Sequence, residues 1–400
     1  MENKTNFIKD VVHGEIAIEH EWASEILRCR EFARLSRIKQ LGLTMRLFPN
    51  ATHTRYAHSL GAYYLANQIV KQLGCFTKQD AEELAAAALL HDLGHGPHSH
   101  AFESYTQIEH ETYSKQMILD SSTEINQLLT KYKINPKNVV SILDHSHPNP
   151  FLNDLISSQI DVDRMDYLQR DAQFTGACYG NIDSSMIIKW STIQENKICF
   201  FGKAISSIEN FLLARYHMYK QVSEEPKMAA LTQLLRKMLA RFKILYRKNK
   251  KRVVNKNNMA SYFDPWLNDK PFTLDQYINI DDIKFEMFID QMQYEKDPFI
   301  LEAYKLYSSF ANSDYKVVLY SKANLEKYKK EISLKTKHPQ LYIHKCRINN
   351  KAIYKKDEQP IWIYDSSTKK VYSLDQQSLV IKKLIKATKP LEVLVINNNI

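Results

Sequence analysis

The spacing of apolar positions divides the chain into a long helical part and a shorter part of mixed character. The segment NFIKDVVHGEIAIEH alternates apolar and polar residues around His13-Gly14 and predicts a short extended entry. Trp22, Ile26, Cys29, Phe32 and Ala33 recur at helical intervals and predict one helix over Glu21–Ser36. Gln40, Leu41 and Gly42 predict a break and Pro49-Asn50 a turn, after which Thr54–His58 lead into a helix running through Leu60–Leu73. Small apolar residues from Ala85 onward predict a closely packed helix that delivers His91-Asp92. Gly94, Gly96 and Pro97 then end it. His110-Glu111 opens another helix, and residues 120–150 read as helices interrupted at Asn135-Pro136 and by the loop DHSHPNPF. His145 and His147 fall in that loop and are expected to face solvent. From Ser206 to about Lys248 the chain is strongly helical, with Phe211, Leu212, Arg215, Met218, Tyr219 and Val222 on one mainly core-facing stripe.

Beyond it, residues 262–335 read as short helices. Residues 340–400 differ, with strand-like runs QLYIHKCRI, PIWIYD, KVYSL and LEVLVI. The fold class is therefore mainly α, a helical core with a smaller C-terminal α+β appendage. The expected division is residues 1–250 for the core and 251–400 for the rest.

Composition narrows the function classes. Nine Gly and twelve Pro are few for 400 residues and favour helices over a turn-rich β architecture. No run of eighteen apolar residues occurs, so no membrane span is expected. The N-terminal MENKTNFIKD lacks the apolar core of a signal peptide, which predicts a cytoplasmic protein. Five scattered cysteines, none in a CxxC pair, suit free thiols rather than a disulfide frame or zinc ribbon. The net charge of +10 fits an anionic ligand, either nucleotide phosphates or nucleic acid. The run RKNKKR at Arg247–Arg252 reads as a solvated basic loop, with a polyanion contact as the alternative.

Chemistry concentrates in AAAALLHDLGHGPHSH, Ala85–His100. Packing does not explain His91, Asp92, His95, His98 and His100 within ten residues. Imidazole nitrogen and carboxylate oxygen suit a borderline or hard divalent metal. Upstream, Arg55 and His58 share a helix face, so His58 can offer a ligand while Arg55 reaches a phosphate. A second dense stretch, SSQIDVDRMDYLQRD, places Asp163, Tyr167, Arg170 and Asp171 on roughly one face with Arg164 beside it. One carboxylate from this stretch would complete a two-His, two-Asp set with His58, His91 and Asp92. Nothing in the last third has catalytic spacing.

The blocks RIKQLG, FPNATHTRYAHSLG, HDLGHGPHSH, QIDVDRMDYLQRD and TGACYG resemble the bacterial HD-domain deoxynucleoside triphosphate triphosphohydrolases of the dGTPase-like branch. Animal sterile-alpha-motif HD proteins share these blocks, and the likeness runs from about Ile8 to Val222. The resemblance implies a divalent metal (Mg2+, Mn2+, Fe2+ or Zn2+) on His58, His91, Asp92 and Asp163, with Asp161 the alternative to the last. It implies that His100 or His110 is a general acid at the leaving 5′-oxygen or orients the water, and that His95 and Glu103 position them. It assigns the triphosphate to Arg55, Arg164 and Arg215, and the sugar to Tyr167, Asp171, Gln40 and Leu41. It further implies a homo-oligomer, dimer or tetramer, acting on a nucleotide.

Two departures stand out. Where the family has a Tyr and a His gripping base and sugar, this chain has Ser223, Glu224 and Glu225. Loss of a stacking aromatic removes about 1–3 kcal/mol of base contact. At positions where animal members read a guanine activator stand Arg28, Ala33 and Ser36. Another nucleotide substrate, a monophosphate or cyclic dinucleotide, is thus an alternative. A nucleic-acid-binding protein with an idle site is the other. The complete ligand set argues against the latter.

Overall fold

The computed structural model describes residues 6–250, 258–349, 352–384 and 390–399. The entry is an antiparallel hairpin of strands Asn6–Asp10 and Gly14–Ile18, with Gly14 at φ 73° closing the turn beside His13. A positive φ is cheap only without a Cβ.

Three helices make the frame of the site. Arg55–Leu73 begins at Thr54, whose side chain accepts the Ala57 N–H, and ends at Gly74 in the left-handed conformation. Lys78–Leu90 packs against it, and every residue from Glu83 to Leu90 is buried. The Ala85–Ala88 side chains are small enough to let the two backbones approach. Val162–Thr175 crosses the first helix, capped by Asp161 at one end and Gly176 at the other. Their packing brings His58, His91-Asp92 and Asp163 to one spot.

The helix expected over Glu21–Ser36 is broken into Glu21–Ile26, Arg30–Ala33 and a 3-10 turn Arg34–Arg37. Cys29 is extended (ψ 144°) and starts the second piece. The apolar spacing stays in phase across so short a break, so periodicity does not reveal it. Ser206–Lys248 is also interrupted. Ile205–Met218 passes into a π-turn at Tyr219–Ser223, and Pro226, which lacks an N–H, starts a new helix Pro226–Lys248. Arg247 and Lys248, expected in a basic loop, therefore end a helix. Arg247 donates to Leu267 O and pairs with Asp269, while Lys251 and Arg252 lie outside the described residues.

All four strand-like C-terminal runs form strands: Ile343–Ile348, Trp362–Asp365, Lys370–Ser373 and Leu391–Asn397. Ser191–Gln194, Lys197–Phe201 and Tyr315–Leu319 add three strands that periodicity did not suggest. The Lys197–Phe201 strand pairs in parallel with Trp362–Asp365, Phe200 opposite Ile363, so the C-terminal region is hydrogen-bonded to the helical part. One apolar cluster contains Ile16 and Leu89 as well as Phe285 and Ile396. Among the described residues no helix is long and apolar enough to cross a membrane.

Of the two loop histidines, His145 is exposed as expected. His147 is not: its side chain is 8% exposed, with Nε2 3.7 Å from Glu83 Oε2 and Nδ1 accepting the Asn149 N–H at 3.1 Å. The loop folds back over the Lys78–Leu90 helix and buries it.

Candidate active site

His58 and His91 meet edge to face, with their Nε2 atoms 3.1 Å apart. Asp163 Oδ1 lies 3.0 Å from His58 Nε2 and 3.6 Å from His91 Nε2. Asp92 reaches the same two nitrogens at 3.6 and 3.5 Å. The competing Asp161 is used locally. Its Oδ1 accepts the Arg164 N–H at 2.7 Å and its Oδ2 the Ser158 N–H at 2.8 Å, which caps the helix. Asp163, 32% exposed, faces the open side instead.

The tautomers follow from the partners on the other ring nitrogens. His58 Nδ1 lies 2.7 Å from Asp166 Oδ2 and His91 Nδ1 2.8 Å from the Ala88 carbonyl; both partners only accept, so both Nδ1 atoms carry hydrogen. The two Nε2 lone pairs are then aimed at each other between two carboxylates. Such an arrangement needs positive charge in the middle. A divalent cation fits, since two nitrogens and two carboxylates are its usual donors. The protonation equilibria express the same demand. Burial opposes charge on His58, yet its hydrogen bonds to Asp163 and Asp166 push its pKa up to about 10. Burial likewise works to raise Asp163, but the two histidines hold it well below the usual carboxylate range.

Asp166 is fully buried and shared by His58, by His13 Nε2 at 2.7 Å and by Arg170, whose guanidinium also binds Asp10. Gly61 faces it, and a Cβ there would overlap Asp166 Oδ1. His13 and Asp166 thus carry the back of the candidate metal-ligand set, a role that spacing along the chain did not suggest.

Beside this set stand His95, His100, Glu103 and His110, whose ligand-type atoms lie within 4.8 Å of one another. Glu103 accepts from His110 Nδ1 and, at 3.2 Å, from His100 Nδ1. Burial would raise the Glu103 pKa, but these two contacts hold it far down, so it stays ionised. His95 is stacked on His110 at 3.7 Å and buried; burial, reinforced by the Arg55 charge, lowers its pKa well below the ordinary value and keeps it neutral. His100 is 70% exposed. His98, from the same motif, points elsewhere, its Nε2 2.9 Å from Glu286.

Both sets open into a cavity of about 540 Å3, within the range of small-molecule sites. Gln40, Leu41, Arg55, Arg164, Tyr167 and Asp171 line it. Gln40 Oε1 is buried without a protein partner, a free acceptor on that wall. Arg55 bonds Asp92 and donates to Ser99 Oγ at 2.9 Å, and Arg164 is bound to Asp161. Asp171 accepts from His53 Nε2 at 2.7 Å. Arg215 is not on the wall. Its guanidinium donates to Gln159 O at 3.3 Å and Ile353 O at 2.8 Å. The wall instead receives Tyr219, whose hydroxyl is 3.5 Å from that of Tyr167, and Ser223 from the π-turn. Tyr219 was legible only as part of a core stripe.

The HD-domain family model matches residues 55–171, the span that carries most of these side chains. The chain is 33% identical to the uncharacterized protein MG461 of Mycoplasma genitalium over 94% of each chain, and 36% identical to YwfO of Bacillus subtilis over 72% of this chain and 66% of that one. It is 30% identical to a deoxynucleoside triphosphate triphosphohydrolase SAMHD1 homolog of Dictyostelium discoideum, over 54% of this chain and 46% of the relative, so it spans under half of that protein. A phosphohydrolase of Bacteroides thetaiotaomicron superposes with a TM-score of 0.83 at 26% identity, covering 98% of this chain and 99% of that one. The chain belongs to the HD-domain phosphohydrolases.

Proposed function

We propose that the protein hydrolyses deoxynucleoside triphosphates at the α-phosphorus, releasing a deoxynucleoside and inorganic tripolyphosphate. The observation that carries this reading is the pair of opposed imidazole nitrogens between Asp92 and Asp163, placed beside a glutamate-linked histidine pair in one cavity. The relationship to SAMHD1-type triphosphohydrolases supports the substrate class.

His58, His91, Asp92 and Asp163 would hold the cation, with Mg2+, Mn2+, Fe2+ and Zn2+ all compatible with the donors. When bound, it supplies Lewis-acid charge at the phosphoryl group. Arg164 and Arg55 on the wall neutralise phosphate oxygens. Water adds to the α-phosphorus, the bond to the 5′-oxygen breaks, that oxygen takes a proton from Nε2 of His100 or His110, and the proton shed by the attacking water passes through solvent to restore that histidine. Glu103, which accepts from both Nδ1 atoms, compensates the imidazolium charge before transfer. Tyr167 and Asp171 form the sugar side.

The withdrawal of Arg215 from the wall leaves two arginines there and favours a second reading, a phosphohydrolase for a nucleoside monophosphate or cyclic dinucleotide. The test is incubation with Mg2+ or Mn2+ and each dNTP, singly and mixed, beside Asp163→Ala. Nucleoside and tripolyphosphate, lost in the variant, support the first reading. No turnover in any combination refutes it, and the monophosphates and cyclic dinucleotides are assayed next.

A further inference from the structure

A separate donor set lies outside that cavity, where the break in the first helix meets the start of Glu124–Lys131. Cys29 caps Arg30–Ala33, Glu31 sits in its first turn and Glu124 opens the facing helix. One ligand-type atom from each of the three lies within 4.8 Å of the others. Glu31 is 0% exposed. Its Oε1 accepts the Glu124 N–H at 3.2 Å, with Arg30 Nε 3.7 Å away, and its Oε2 is buried with no hydrogen-bond partner. A buried carboxylate oxygen without a donor is costly. The nearby Glu25 does not relieve it, being bound to Lys131 and Tyr132.

We propose that Cys29, Glu31 and Glu124 bind a borderline divalent cation such as Zn2+, distinct from the cation of the HD site. One soft sulfur and two carboxylates select this class over Mg2+ or Ca2+. Burial, with Glu124 and Glu31 close by, pushes the free thiol pKa up to about 12, so the thiol holds its proton until the cation arrives. Binding then replaces S–H by a metal–sulfur bond and releases one proton. Glu124 is exposed, which gives the ion a way in and leaves a position for water. The bound ion joins two helices already linked here by the Glu31–Glu124 hydrogen bond and by the Cys29 thiol against Glu124. Arg34, one turn beyond Glu31, reaches the Leu93 carbonyl directly behind His91-Asp92, so the site stiffens the wall on which the HD ligands stand.

Cobalt(II) separates the two sites, because the HD donors are all nitrogen and oxygen and only a thiolate gives a near-ultraviolet sulfur-to-cobalt charge-transfer band. Titration of the full-length protein with Co2+ should produce that band, and Asp163→Ala should keep it. Cys29→Ser should abolish it and lower bound metal by one ion per chain. Glu124→Gln, at the surface and away from the core, should weaken the binding that the band reports by tenfold or more, and it decides the matter if Cys29→Ser fails to fold. Absence of the band at saturating Co2+, its survival in Cys29→Ser, or unchanged binding in Glu124→Gln overturns the proposal.

Discussion

Replacing Asp282 by alanine tests whether the last third of the chain holds the His95–His100 loop in shape. Asp282 is 2% exposed; its Oδ1 accepts the His98 N–H at 2.8 Å and its Oδ2 the Lys39 N–H at 2.9 Å. The loop it holds is strained, with His98 at φ 58° and Ser99 at φ 55°. A positive φ in so sparsely populated a region costs about 1–3 kcal/mol for each residue with a Cβ. Losing the carboxylate leaves the buried His98 N–H unpaired, at about 1–3 kcal/mol, and the half-buried Lys39 N–H, which water reaches, at the low end of that range, about 2–4 kcal/mol together. That is a large part of the about 5–15 kcal/mol that stabilises a folded domain. The cheaper response is local. The loop leaves its strained positive-φ conformation, and His95 and His100 move with it. A displacement of about 1 Å in such groups costs roughly 100-fold in rate. Amide hydrogen exchange at residues 95–100, measured beside turnover and thermal unfolding, separates these outcomes. We expect faster exchange in this loop, a turnover loss of about 100-fold and an intact global fold. Wild-type exchange rates with turnover within twofold of wild type would refute the reasoning.

Asp166→Asn removes the carboxylate that orients His58 and should weaken metal binding about 10- to 100-fold, measured by titration; unchanged affinity contradicts the assignment. Gly61→Ala should act in the same direction by displacing Asp166, and should lose bound metal before it loses helicity. His344 is buried beside Lys237, and burial first, then that charge, lowers its pKa to about 3. Between its ordinary pKa of 6.5 and 3, the unfolded chain binds a proton that the folded chain refuses, so stability falls as pH falls through this window. From pH 7 to 5 the loss due to this group is about 2 kcal/mol, and His344→Gln should lose that much less across the same step in urea unfolding.

The site was legible where its chemistry is local. His58, His91-Asp92 and the acidic stretch at Asp163 declare themselves by residue type, whereas His95, His100, Glu103 and His110 were grouped only through the family resemblance. Asp163 and Asp161 could not be separated by spacing. The structure separates their positions, because Asp161 spends both oxygens on the N–H groups at its helix start. His13, His53 and Asp282 had no such signature: they act through hydrogen bonds across 153, 118 and 184 positions of chain. The same holds for Arg215, whose cavity-facing role was suggested by the resemblance and whose guanidinium the structure gives to carbonyls at 159 and 353.

The sequence by itself determined that the chain is mainly helical, where its C-terminal strand runs lie, and which imidazoles and carboxylates are present for a metal. These follow from side-chain periodicity and donor chemistry, which are properties of residues and near neighbours. Only the tertiary structure decided which ring nitrogen of each histidine faces the other, which arginines reach the cavity, and that a strand at Lys197–Phe201 would pair with one at Trp362–Asp365. Those outcomes depend on where distant segments come to rest when the apolar core closes, and no local pattern records that.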